Sequence, residues 1–576
     1  MGLLDPREAH WVPETKGFEL LHLTLGDLLR DVARRLPQKE AVVYSVYPEL
    51  DLDVRWTYST LDGKVDEVAR GLLAIGIQKG DKIAVWSSNI PEWIPLMFAT
   101  ARIGAVLVTV NTNSTPRELE YVLRQSDSRA LFLMPKYRAM DYIERFEQVV
   151  PDVSGQRPGH LGLPNLPELK VAVIMNARGE TRSGYWLFED IVAMGQAIPE
   201  GELTRVAAEV QANDPVMIQY TSGTTGFPKG AMLSHEGILN NPRLWCLVLG
   251  LSEKTVYVNP MPFFHTGGCV LGIVGPVCVG ATLVPLIEFD PRKVLEAIHK
   301  ERATFGVSVP TMLLGYLSHP ELKKYDLSSL RILVSGGTNV PIEMSRRVKN
   351  ELGADILVVY GLTEASPVVT QALPDDPPEY QFETIGQPIP HVEVKLIRPG
   401  GTETVAIGEA GEICSRGFGT MLGYYKMPDK TRETIDDDRW LHTGDLAVMN
   451  ADGYLNIVGR TKDMIIRGGE NIYPREIEEL LMGHPKIEDA HVLGVPDLKW
   501  GEQVCAVIKS RVSMVITPQE VHEFLAPVLA HHKIPKYVRV VEEFPLTASG
   551  KVQKFRLRED MIKVLGLEAA AAEKHA

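Results

Sequence analysis

The chain has 576 residues, 45% hydrophobic and 23% charged, the balance of an ordinary globular protein rather than a disordered or fibrous one. Its formal net charge of −14 excludes the broad basic footprint of a nucleic-acid binder. Its five cysteines (Cys246, Cys269, Cys278, Cys414, Cys505) lack CxxC spacing, which excludes a disulfide framework or thiolate zinc site and suits a reducing compartment.

Length alone suggests about four domain-sized units. The first residues, Met-Gly-Leu-Leu-Asp-Pro, lack the basic and apolar regions of a signal peptide. Gly2 invites a myristoylation reading, but Pro6 stands where Ser or Thr is wanted, and Lys574-His-Ala576 is not a peroxisomal Ser-Lys-Leu. The expected location is the cytoplasm. Thr24 is placed to cap a helix carrying Leu25, Leu28, Leu29, Val32 and Leu36 on one face. A strand follows at Ala41–Tyr44, then a second helix through Leu61, Val65, Val68, Leu72 and Leu73, ending near Gly76. Short β-rich runs at 82–86, 106–110 and 130–133 alternate with helical patterns, so the expected class is α/β with parallel sheets covered on both faces. Residues 151–167 and Asp375-Asp-Pro-Pro378 read as loops.

The most informative stretch is Thr221-Ser-Gly-Thr-Thr-Gly-Phe-Pro-Lys-Gly230. It lies between a strand-like run, 215–220, and a second one, 231–234, with a helix expected to open at His235. Its glycines let the backbone bend and approach a ligand. Successive N–H groups and hydroxyls can cradle phosphate oxygens, and Lys229 adds a point charge. The plain alternative is a Gly/Ser/Thr surface loop. A Walker A loop is excluded, because Pro228 precedes Lys229 and Gly230 follows it.

Farther along, the apolar segment 269–286 is broken by Gly272, Gly275, Pro276 and Gly280, so no membrane span is expected, while peripheral membrane contact stays open. After Arg460 the texture changes. Strands at 490–495, 503–508 and 537–541, with a capping box at Thr517-Pro-Gln-Glu520, read as a small α+β domain. The expected division is 1–459 and 460–576, with the alanine-rich tail after Gly566 frayed.

The ten-residue loop resembles the phosphate loop of the adenylate-forming superfamily, and motifs resembling the family's others follow in order across almost the whole chain. Pro260-Met-Pro-Phe-Phe-His-Thr-Gly-Gly268 resembles the aromatic–histidine motif, although a histidine among aromatics can also be a satisfied core residue. Val334-Ser-Gly-Gly-Thr338 and Tyr360-Gly-Leu-Thr-Glu-Ala365 resemble the adenine and acyl-adenylate motifs, Trp440-Leu-His-Thr-Gly-Asp445 the ribose motif, and Gly459-Arg-Thr-Lys-Asp-Met-Ile465 the hinge. Arg467-Gly-Gly-Glu-Asn-Ile-Tyr-Pro474 resembles the pantetheine-tunnel loop, and Pro545-Leu-Thr-Ala-Ser-Gly-Lys551 the catalytic-lysine loop. Within the superfamily the chain is most similar to medium-chain fatty acyl-CoA synthetases.

The resemblance implies a fatty-acid–CoA ligase of lipid metabolism that forms acyl-AMP from ATP and releases AMP and pyrophosphate. The same fold would have a large N-terminal domain of layered α/β subdomains and a small mobile C-terminal one. Thr221, Ser222, Gly223, Thr224, Thr225, Gly226 and Lys229 would hold phosphates; Gly336, Gly337, Thr338, Tyr360 and Gly361 the adenine side; Asp445 the ribose; and Arg460 ribose or phosphate. Thr363 would meet the α-phosphate, and Glu364 Mg²⁺. His265 would sit beside the carboxylate. Lys551 would neutralise charge in the adenylation step, Lys462 would be the pivot, and Gly468 and Gly469 would line the CoA tunnel. Phe264, Val270, Val307, Val309, Leu362, Pro367 and Val368 would line an acyl pocket without charged groups. Expected partners are thus a small carboxylic acid, ATP and CoA, with no nucleic acid and a monomeric or homodimeric state. An alicyclic or aromatic acid, a carrier-protein acceptor and luciferase-type oxygenation remain open. A non-catalytic ATP-binding scaffold is disfavoured because Glu364 and Lys551 are both present.

Overall fold

The computed structural model describes residues 2–177, 181–221, 228–337, 340, 342–468, 470–512, 514–545 and 552–573. The chain divides into two compact units. One comprises Met1–Leu4, Trp11–Val394 and Cys414–His442; the other comprises Asp5–His10, Lys395–Ile413 and Thr443–Ala576. The expected break at 459/460 falls inside the second unit.

The first unit is built on two sheets. In one, the described strands run in the order Trp186–Leu187, Val171–Ile174, Ser128–Leu133, Lys82–Trp86, Val106–Thr109, Pro215–Thr221, Lys229–Ser234 and Gly423–Tyr424. These strands pair in parallel up to Pro215–Thr221, where the order turns antiparallel. In the other, Phe305–Val307, Ile332–Gly336 and Asp355–Gly361 lie side by side in parallel. The strands are short, apolar and buried, as sheets covered on both faces require.

Local signals account for many element ends. Thr24 caps helix Leu25–Arg35 and makes a reciprocal box with Asp27. Helix Tyr58–Ala74 ends before Gly76, whose φ of 82° suits glycine. Thr517 and Glu520 form the box expected for Pro518–Leu525. Two expectations are corrected. Pro378 opens a short helix, Pro378–Glu383, since proline suits a first helical turn. The tail is helical over Glu568–Glu573, in keeping with alanine's high helix propensity.

In the second unit a sheet of Ile465–Arg467, Glu470–Ile472, Ile487–Asp497, Gly501–Ser510 and Tyr537–Val540 buries one face beneath helices Pro474–Met482 and Pro518–Leu525. Its other face packs on helix Lys554–Val564 through Leu557 and Met561. Among the described residues, no helix is long and apolar enough to cross a membrane.

His235 ties the first helix to the sheet. It starts helix His235–Val248, is fully buried, and accepts the Leu25 N–H on Nδ1 at 3.2 Å. Protonating that nitrogen would set two donors against each other, and burial pushes the imidazole from 6.5 down to about 4. Folding therefore favours the neutral ring. Its contribution should be complete above about pH 6.5 and fade as pH falls toward about 4. Urea titrations across that window should show wild-type stability falling more steeply than that of His235→Gln.

Candidate functional site

The phosphate-loop stretch begins and ends in a paired ribbon. Thr221 lies opposite Lys229, and Tyr220 opposite Gly230. The expected phosphate contacts Ser222, Gly223, Thr224, Thr225 and Gly226 lie outside the described residues. Helix Pro116–Gln125 braces the ribbon: Tyr121 donates its hydroxyl to the Pro228 carbonyl at 3.0 Å, and Tyr220 donates to Gln125 Oε1. The Gln125 amide in turn donates to the Tyr425 carbonyl at 2.7 Å.

Beyond the ribbon the sheet gains the short strand Gly423–Tyr424, with Tyr424 opposite Ala231. This places the Tyr424 phenol between two expected site residues. Lys229 Nζ donates to the phenol oxygen at 3.0 Å, and that phenol donates to Glu364 Oε1 at 2.7 Å. An ammonium has no acceptor, so the direction of both bonds is fixed. The Thr221 hydroxyl donates to the same Glu364 oxygen at 3.2 Å. The Lys229 ammonium also sits 4.1 Å from the Tyr424 ring centroid. Burial lowers the pKa of Lys229, with Glu364 opposing it. Burial, and then the Glu364 carboxylate, hold the Tyr424 phenol far above its ordinary value.

Three parallel strands end side by side around this cluster's partner residues. Val307 pairs with Val334, and Gly336 with Val359, so the ends carrying Val309, Gly337 and Tyr360–Gly361 face the same way. Crevices at the carboxyl ends of parallel strands are where open α/β sheets bind ligands. Gly337 has a φ of 77° and open space around it, as a flat approach requires. Gly336 is glycine for a different reason: a Cβ there would lie 2.3 Å from the Val359 carbonyl on the neighbouring strand. Gly361 is equally confined, at 2.2 Å from the Pro367 carbonyl. Thr363 and Glu364 occupy the tight turn Thr363–Ala365 and are both buried. Thr338 lies outside the described residues. Among the expected acyl-pocket residues, Val270, Val307, Pro367 and Val368 are buried, while Phe264, Val309 and Leu362 are half-buried.

The aromatic–histidine segment is held by two asparagines that sequence reasoning did not single out. Asn89 donates to the Met261 and Leu286 carbonyls at 2.9 and 2.8 Å and accepts the Phe263 N–H at 2.8 Å. Asn259 accepts the Met261 N–H and donates to the Gly268 carbonyl, both at 3.0 Å. The segment turns so tightly that a Cβ on Gly268 would stand 1.9 Å from the Pro262 carbonyl. His265 is exposed at the start of the short helix Thr266–Cys269.

The remaining expected residues belong to the second unit. Asp445 and Arg460 face each other on paired strands, and their side chains bridge at 2.9 Å. Lys462 is exposed in the turn that follows, where the Asp463 and Met464 N–H groups bond the Arg460 carbonyl. Gly468 has a φ of 61°, and a Cβ there would meet the Trp500 ring at 2.6 Å. Gly469 and Lys551 lie outside the described residues.

The sequence of these sites matches the model of the AMP-binding enzymes over residues 29–425 and that of the AMP-binding enzyme C-terminal domain over 476–551. The chain belongs to the AMP-binding enzymes. Among relatives within this family, YngI of Bacillus subtilis (strain 168) is 44% identical over 96% of this chain and 100% of its own. The human mitochondrial medium-chain acyl-CoA ligase ACSF2 is 39% identical over 94% of this chain and 88% of its own. Among solved AMP-binding enzymes, the anthranilate CoA ligase AuaEII, in complex with anthranoyl-AMP, superposes with a TM-score of 0.79. It shares 27% identity and covers 94% of this chain and 97% of its own.

Asn89→Ala should strand the buried Phe263 N–H and two carbonyls. At roughly 1–3 kcal/mol per stranded group, partly relieved by water, a loss of about 3 kcal/mol is expected. Urea denaturation measures it, and an unchanged midpoint would show that the segment is held elsewhere.

Proposed function

We propose that this AMP-binding enzyme is an ATP-dependent fatty-acid–CoA ligase: it activates a medium-chain acid as acyl-AMP, transfers the acyl group to CoA, and releases AMP and pyrophosphate. The observation that carries this reading is the charge arrangement at the phosphate ribbon. A half-buried ammonium and a buried carboxylate are held beside a hydroxyl, Thr221, next to strand ends that present Gly337 and Tyr360. The relatives' printed names support acyl-CoA formation.

A carboxylate acylates poorly because its leaving group would be an oxide; adenylation makes that oxygen a good leaving group, which a thiol can displace. The protein's share is positioning and charge neutralisation. In this reading Lys229 and Thr221 orient phosphate oxygens, Tyr360 stacks on the adenine, Thr363 bonds the α-phosphate, and His265 flanks the carboxylate. Asp445 accepts the ribose hydroxyls, and Arg460 exchanges its bridge to Asp445 for the nucleotide. Lys551 offsets the charge as pyrophosphate departs. Gly468 and Gly469 form the CoA tunnel, and Lys462 is the pivot of a division at 459/460 that lets one centre serve both half-reactions.

Mg²⁺ fits this donor set. Among the described residues no three His, Cys, Asp or Glu side chains converge, so these residues build no metal cage. A single buried carboxylate, Glu364, is what a cation shared with phosphate oxygens needs from the protein. When bound, Mg²⁺ would offset phosphate charge. The five cysteines, free in this structure, support placing the enzyme in a reducing compartment, the cytoplasm.

Three measurements test the reading. ATP, CoA and octanoate should give octanoyl-CoA, AMP and pyrophosphate; ADP and phosphate would refute it. Specificity, kcat/KM from acetate to palmitate, should rise with length by about 0.8 kcal/mol per buried methylene and then stop. A maximum at acetate, benzoate or cyclohexanecarboxylate would overturn the medium-chain assignment. Lys551→Ala should slow acyl-AMP formation about 10²–10³-fold while sparing thioester formation from supplied acyl-AMP. Lys462→Pro should leave adenylation and lose thioester formation; equal effects on both halves would place the pivot elsewhere.

A further inference from the structure

We propose that Tyr424 is a positioning residue: its phenol stands between the Lys229 ammonium and the Glu364 carboxylate, keeping the two charges apart and oriented until nucleotide and cation arrive. The proposal rests on the function proposed above and extends it to a residue outside the family motifs already considered.

The geometry gives three supports. Tyr424 is buried and reaches the site from a strand pairing with the outer side of the phosphate ribbon, which fixes its backbone: the Tyr425 N–H bonds the Gly230 carbonyl at 2.8 Å, and the Leu422 N–H bonds the Met232 carbonyl at 2.9 Å. Its backbone N–H is also fixed, donating to the Thr431 hydroxyl at 2.9 Å. The phenol oxygen accepts from Lys229 and donates to Glu364, so it satisfies both groups at once. Finally, Tyr424 and Thr221 converge on the same carboxylate oxygen, Oε1, so two donors from different strands hold one side of the carboxylate.

The consequence follows from charge. An ammonium and a carboxylate in direct contact in a half-buried site attract strongly. Mg·ATP would have to separate them before either could serve it. A neutral phenol between them gives each a hydrogen bond, and both remain available. The hydrogen-bond geometry makes this phenol an acceptor toward Lys229 and a donor toward Glu364.

Tyr424→Phe removes only the oxygen. The ring stays against Lys229 and the strand pairing is made by backbone, so the variant should fold, with its thermal midpoint close to wild type. Calorimetric titration of the full-length protein with ATP, in EDTA and in excess Mg²⁺ and without acid or CoA, reads the effect directly. We expect the wild type to bind Mg·ATP more tightly than free ATP. The variant should lose roughly 10-fold in Mg·ATP affinity and much less with free ATP. In steady state its KM for Mg·ATP should rise with kcat changed less than about 3-fold. In a Glu364→Gln background the additional substitution should leave Mg²⁺ dependence unaltered, because the phenol acts through that carboxylate. Equal Mg·ATP affinities for wild type and Tyr424→Phe would overturn the proposal. So would a loss that is the same with and without Mg²⁺, or a lowered thermal midpoint with unchanged Mg²⁺ dependence, each of which marks a purely structural tyrosine. If the wild type binds no ATP, the functional reading falls and this proposal with it.

Discussion

The charge chemistry of the first unit turns on a carboxylate that is almost out of water. Glu364 sits buried in a tight turn, and an ionised carboxyl there is tolerated only if it is hydrogen-bonded. Its two side-chain donors among the described residues, Tyr424 and Thr221, come from positions 60 residues downstream and 143 residues upstream. The paired ribbon, the strand added to it and the turn at the end of Asp355–Gly361 must all be in register for these bonds to form. Sheet register is therefore electrostatics here, because a one-residue slip would point the side chains to the opposite face.

A second constraint is backbone crowding. Three glycines near the strand ends have no room for a Cβ: Gly268 against Pro262, Gly336 against Val359 and Gly361 against Pro367. Beside them Gly337 combines a positive φ with open space, so it is free to serve a ligand by close approach. The glycines of a motif thus do different work. Most allow chain segments to pack tightly, and the ligand surface is what that packing leaves exposed.

The buried asparagines show a similar economy. Asn89 and Asn259 supply side-chain amides where the aromatic–histidine segment leaves the sheet and its N–H and carbonyl groups lose their ladder partners. The segment is neither helix nor strand over Met261–His265, yet it is well bonded, and this lets it carry Phe264 and His265 on a fixed frame.

Local chemistry was legible from the sequence by itself. The helix cap at Thr24, the capping box at Thr517, the alternation of short apolar strands with amphipathic helices, the α/β class and the ordered motifs that mark an AMP-binding enzyme are all short-range patterns, and neighbouring residues are enough to specify them. What only the tertiary structure decided are relations between residues far apart in the chain. Nothing near Tyr424 announces a partner for Lys229 and Glu364, because Gly-Tyr-Tyr is as ordinary an edge strand as any; its meaning comes from pairing with a strand about 190 residues away. Asn89 belongs to no motif until Met261, Phe263 and Leu286 close around it, and Gly336 reads as ligand-facing until Val359 is placed beside it. The physical reason is common to all three. Hydrogen-bond partners and steric neighbours at long range are set by sheet order and register, and these depend on the whole folded unit rather than on any window of residues.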